Sequence, residues 1–85
     1  MIEYSPVTAL NRTYAYAKVA GKAKGITEAE KLKLEDNPFY FALLGELYMG
    51  MDNQKAKQHF AQAFKLAKTS ADKVAMKKKM DSIDS

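Results

Sequence analysis

The sequence has no cysteine, a single histidine and a single arginine, and only two prolines and four glycines among its 85 residues. The missing cysteine excludes disulfides and thiolate metal sites and fits a reducing compartment. No apolar run approaches the roughly 20 residues that cross a bilayer as a helix. The N-terminal MIEYSP lacks the basic and apolar regions of a signal peptide, so the expected location is the cytoplasm, with no membrane partner. Catalysis has equally little to stand on. Ser5, Ser70, Ser82 and Ser85 fall in expected caps or tails, and no nucleophile has an identifiable base. The carboxylates of EAEKLKLED lack the spacing of a calcium loop or a helical zinc site, and there is no glycine-rich phosphate loop. His59 reads as a surface or boundary residue of a lysine-rich helix, and Met49, Met51, Met76 and Met80 as adaptable core or interface filler. No catalytic, cofactor-binding or metal-ligating residue is expected, and the chain is not expected to be an enzyme.

What is present is lysine, unevenly placed. Residues 1–54 carry six basic and seven acidic side chains, whereas residues 55–79 carry eight lysines and one acid, Asp72. With Arg12 the lone guanidinium, bidentate reading of guanine is nearly out of reach, and the run KVAMKKKM reads first as a solvated helix face. A chain this short buries only about 60–65% of the surface its unfolded form exposes, so modest stability is expected.

Few breakers and no alternating run long enough for a strand predict an all-α chain. Ser5-Pro6 and Asn37-Pro38 each pair an N-cap residue with a first-turn proline. The first helix is expected from Pro6 to about Ala20, the second from Lys22 or Lys24 to about Leu34, and the third from Pro38 to near Gly50. A fourth follows Asp52-Asn53 and reaches about Lys68. Thr69-x-x-Asp72 opens a fifth that fades after Ile83. Gly25 is expected to weaken the start of the second helix. Short connections imply antiparallel neighbours.

An internal repeat refines this. Val7, Leu10, Asn11 and Tyr14 recur 34 residues later as Phe41, Leu44, Gly45 and Tyr48. That is the tetratricopeptide period, and the second copy continues with the small and aromatic signature Ala56, Phe60 and Ala63. The turn before Ala56 is one residue shorter than the consensus, and the second helix of the first copy matches poorly beyond Ala23. The prediction is therefore antiparallel helix pairs: two tetratricopeptide-like repeats plus a C-terminal capping helix. Leu10, Asn11, Tyr14, Leu44, Gly45, Tyr48, Ala56, Phe60 and Ala63 are the expected structural residues. Asn11, aligned with Gly45, stands where helices crowd and would need hydrogen-bond partners if buried. By tetratricopeptide geometry Thr8, Arg12, Tyr16, Glu46 and Met49, with Ala42, face a concave groove. Arg12 is expected there either to meet a partner or to pair with Glu46.

The run SPVTALNR, then the helix with Ala56, Phe60 and Ala63, then a basic helix with Met76, Met80 and Ile83, resembles the C-terminal helical extension of extracytoplasmic-function sigma factors of bacterial RNA polymerase. Ser5, Pro6, Val7, Ala9, Leu10, Asn11 and Arg12 carry the specific part of the likeness. The resemblance implies a regulatory, protein-interaction domain of an alternative sigma factor. Its partners would be the sigma-factor core domains of the same chain or RNA polymerase, or a regulatory protein, without direct promoter contact. The promoter-recognition and polymerase-binding domains of that family have no counterpart in these residues. The chain is thus expected to be a C-terminal fragment of a longer one, as two repeats and a cap would suggest. A free-standing tetratricopeptide adaptor is the alternative, although the Lys/Asn clamp of chaperone-tail binders is replaced here by Thr8, Arg12, Leu43 and Glu46. A third reading, from a different class, is nucleic-acid binding through Lys73, Lys77, Lys78 and Lys79.

Overall fold

Three helix starts are set by a side-chain oxygen that takes an orphan backbone N–H. Asn37 Oδ1 accepts from Phe39 N at 2.9 Å, Asp52 Oδ1 from Lys55 N at 3.1 Å, and Thr69 Oγ1 from Asp72 N at 3.1 Å. The computed structural model describes residues 6–83, with side chains from Thr8 onward. The expected cap at Ser5 and the side chain of Val7 lie outside the described residues. The elements are α1 (Pro6–Ala20), α2 (Lys22–Leu32), α3 (Pro38–Tyr48), α4 (Asn53–Leu66) and α5 (Ser70–Ser82), with no strand among the described residues. The second helix stops two residues before the expected Leu34, because Lys33 takes the left-handed conformation, φ 49°, and ends it.

The fold is all-α and helical-repeat-like. Each helix packs on the next in chain order, and α1 also reaches α3, so α2 sits against one side of the α1–α3 seam. Two buried clusters hold the array. The first gathers Leu10 and Ala17 of α1, Ile26 and Ala29 of α2, and Tyr40, Leu43, Leu44 and Leu47 of α3. The second joins Ala56, Phe60 and Ala63 of α4 to Met76 of α5 and Ile83, with Phe41, Tyr48 and Met49 of α3 packed against it. Among the described residues no buried side-chain nitrogen or oxygen lacks a hydrogen-bond partner, as a sound core requires.

Two close approaches set the geometry of the pairs. A Cβ on Gly45 would stand 2.7 Å from the ring of Phe60, so α3 and α4 meet where the glycine clears room for an aromatic. In the first pair the glycine is on the other helix: a Cβ on Gly25 would stand 2.4 Å from Ala17 Cβ. Gly25 is buried, and its role is this contact rather than a weak helix start. The repeat also runs further than its wording suggests, since Ile26 and Ala29 precede Phe60 and Ala63 by 34 residues and all four are buried.

Helix ends borrow cations from neighbours. The last turn of α3 has no basic residue of its own, and Lys22 Nζ from α2 donates to Met49 O at 2.6 Å. Lys73 Nζ from α5 likewise donates to Phe64 O at 3.1 Å, near the end of α4, and lies 4.8 Å from the centre of the Phe64 ring. A positive group at a helix C-terminus offsets the partial negative charge of its free carbonyls.

Candidate functional site

Successive helical side chains are turned by 100°, so the face that α1 gives to α2 decides what it shows elsewhere. Leu10, Thr13 and Ala17 are buried, the Thr13 hydroxyl donating to Ala9 O at 2.9 Å. This leaves Asn11 and Tyr14 on the flank that borders α3. Opposite them the α3 stripe Phe39, Ala42, Leu43 and Glu46 follows the 3–4 spacing of a single helix face. Between the two helices lies an open cleft of about 420 Å³, lined by Leu10, Asn11 and Tyr14 from α1 and by that stripe from α3. No α2 residue lines it, so it opens on the side of the seam away from α2.

This arrangement corrects the groove expected from the repeat. Of Thr8, Arg12, Tyr16, Glu46 and Met49, only Glu46 lines the cleft. Thr8, Arg12 and Tyr16 are exposed along another face of α1, and Met49 is half-buried against the second cluster. The alignment assumed that Asn11 does for α1 what Gly45 does for α3. In fact the first pair closes at Ala17 and Gly25, so α1 is turned and Asn11, expected at a crowded contact, is exposed. Tyr14, expected in the core stripe, is 42% exposed at the cleft wall, and Phe39, which sequence reasoning passed over, is 46% exposed at the other wall. A signal for Phe39 was present: it stands three and four residues before Ala42 and Leu43, and seven before Glu46. Leu44, Gly45, Ala56, Phe60 and Ala63 are all buried, and Tyr48 is half-buried.

The charges at the cleft have a clear order. Lys79 of α5 reaches across to Glu46 with Nζ 2.6 Å from Oε1, so Glu46 has Lys79 as a partner where Arg12 was an expected one. Lys18 Nζ lies 4.8 Å from the centre of the Tyr14 ring, a cation over an aromatic face.

A second feature sits in the α3–α4 seam. The imidazole of His59 is stacked on Tyr48, centroids 5.3 Å apart and planes 16° apart, and on Phe41 at 6.1 Å and 21°. Phe41 and Tyr48 are two turns apart on α3, and the histidine of α4 meets both. Burial pushes its pKa below the ordinary 6.5, with Lys55 adding to the fall and Glu30 opposing it. The residue is an intercalated core-edge group rather than a plain surface histidine.

Among the described residues no three histidine or acidic side chains group to hold a metal, and no helix is long and apolar enough to cross a membrane. The arrangement can therefore bind apolar surface and carboxylates at the cleft. Compared with protein-family models, curated proteins and solved structures, the chain matches none of them.

Proposed function

We propose that this chain is a protein-interaction module whose docking surface is the cleft between α1 and α3. The observation that carries this reading is the pair of half-exposed aromatics, Tyr14 and Phe39, facing each other across a floor of Leu10, Ala42 and Leu43. Aromatic groups held on rigid helices present large contact area at low entropic cost, and they anchor many interfaces. The chain would act by contact, not by chemistry.

The likeness of SPVTALNR to the sigma-factor extension supports a more specific form of the proposal. The module is then the regulatory C-terminal part of an alternative RNA polymerase sigma factor, working in the bacterial cytoplasm. It would adjust transcription initiation by packing on the sigma core domains, on polymerase or on a regulatory protein. The promoter DNA would be contacted elsewhere. The alternative is a free-standing helical-repeat adaptor, which the same cleft would serve equally well.

The two forms separate on the size of the natural protein, probed in a lysate of the source cell with an antibody to this chain. A band much larger than 9.5 kDa is expected for the sigma-factor form. A band of this size would replace it with the adaptor.

A further inference from the structure

The partner chemistry can be read from the cleft and its rim, taking the cleft as the docking surface proposed above. We infer that its occupant is an acidic amphipathic protein segment, with apolar side chains seated between Tyr14 and Phe39 and carboxylates turned toward Lys18 and the lysines of α5.

The argument rests on sign and on separation. Glu46 is the one carboxylate among the described residues lining the cleft, and it is already engaged by Lys79. The rim therefore presents Lys18, held over the Tyr14 ring, and Lys78, exposed beside Lys79 on α5. The acidic side chains of the array are gathered elsewhere. Glu30 and Glu35 act on the hydroxyl of Tyr40, a buried α3 residue on the face turned away from Phe39, and Glu30 also acts on His59 in the α3–α4 seam. A basic segment entering the cleft would meet like charge at its rim, while an acidic one would meet opposite charge without displacing any protein carboxylate. Such complementarity selects partners and speeds their encounter. The apolar floor supplies what charge alone does not, a reason for the segment to seat rather than hover.

The test compares two synthetic amphipathic peptides with the same leucine and phenylalanine positions, one with glutamate and the other with lysine at the polar positions. Each is titrated into the isotope-labelled chain while backbone amide signals are followed. The glutamate peptide is expected to shift Asn11, Tyr14, Phe39 and Ala42 and to bind at least about tenfold tighter than the lysine peptide, a difference of about 1.4 kcal/mol. Lys18→Glu is expected to erase that preference, and Phe39→Glu to weaken both peptides. Equal binding of the two peptides would overturn the acidic partner while leaving the cleft as a docking surface. No shift at those four residues with either peptide would overturn both. Glutamate-peptide binding unchanged by Phe39→Glu would mean attraction to the lysine face alone. An oligonucleotide that shifts the same residues where the peptide does not would make the partner a nucleic acid. Either of those last two results contradicts the inference.

Discussion

Gly45 and Phe60 interlock: the Cβ that Gly45 lacks would stand 2.7 Å from the phenylalanine ring, which is only 1% exposed and has no room to retreat. This contact joins α3, which forms one wall of the cleft, to α4, and it fixes how that wall is turned. The corresponding contact of the first pair, Ala17 with Gly25, fixes α1. The cleft exists because these two contacts are not equivalent by sequence.

Gly45→Ala tests the first contact. Overpacking costs about 1–3 kcal/mol, which outweighs the gain of up to about 1 kcal/mol in helix propensity. The variant is expected to unfold at lower urea concentration. Adding Phe60→Leu should cost less than it does in the native background, because the smaller side chain relieves the clash. Additive effects in this double-mutant cycle would show that the two residues do not interlock.

Gly25→Ala tests the second contact and should be no milder, since the added carbon would also lie 3.1 Å from the backbone Cα of Ala17. Exchanging the two residues, Ala17→Gly with Gly25→Ala, returns the missing space to the seam. Thermal unfolding should place the exchange variant above Gly25→Ala alone, and an order reversed would contradict the packing role of Gly25.

His59 predicts a pH dependence. Its pKa is lowered in the fold by burial first, so the unfolded chain binds a proton more readily. Stability from the neutral ring is complete above the unfolded value of 6.5 and falls as pH drops from there through the lower folded value. Chemical unfolding across this range should show the decline, and His59→Phe, which keeps a stacked ring without the titration, should flatten the contribution. The same slope in that variant would assign it to other groups.

Lys79→Met removes the partner of Glu46. Both side chains are well solvated, 50% and 33% exposed, so the loss should be small, about 0.2–1 kcal/mol, and smaller still in high salt. Thr69→Ala, which deletes the N-cap of α5, should cost about 1 kcal/mol and raise amide exchange first in that helix.

The helix starts were readable because capping is local: Asn37, Asp52 and Thr69 each act within three residues of themselves. The second repeat was readable for a similar reason, since Leu44, Gly45, Ala56, Phe60 and Ala63 lie in two successive helices joined by a tight turn. The facing of α1 was not. It depends on Gly25 meeting Ala17 across the pair, and a helical glycine looks the same in sequence whether it weakens a helix or admits a neighbour. That one ambiguity turned α1 and put Thr8, Arg12 and Tyr16 in the expected groove in place of Asn11 and Tyr14. The stacking of His59 was hidden likewise, because its partners Phe41 and Tyr48 belong to another helix.

Phe39→Glu offers the cleanest probe of the cleft. The side chain is 46% exposed and lies at the second position of α3, where a carboxylate suits the helix N-terminus, so stability should stay within about 0.5 kcal/mol.

The most direct measurement is therefore the affinity of this chain and its Phe39→Glu variant, side by side, for bacterial RNA polymerase holoenzyme from the source cell. Binding of the native chain, weakened at least about tenfold in an equally stable variant, is the predicted result. Equal binding by both would contradict the cleft as the docking surface, and no binding by the native chain would contradict its place in the sigma-factor and polymerase assembly.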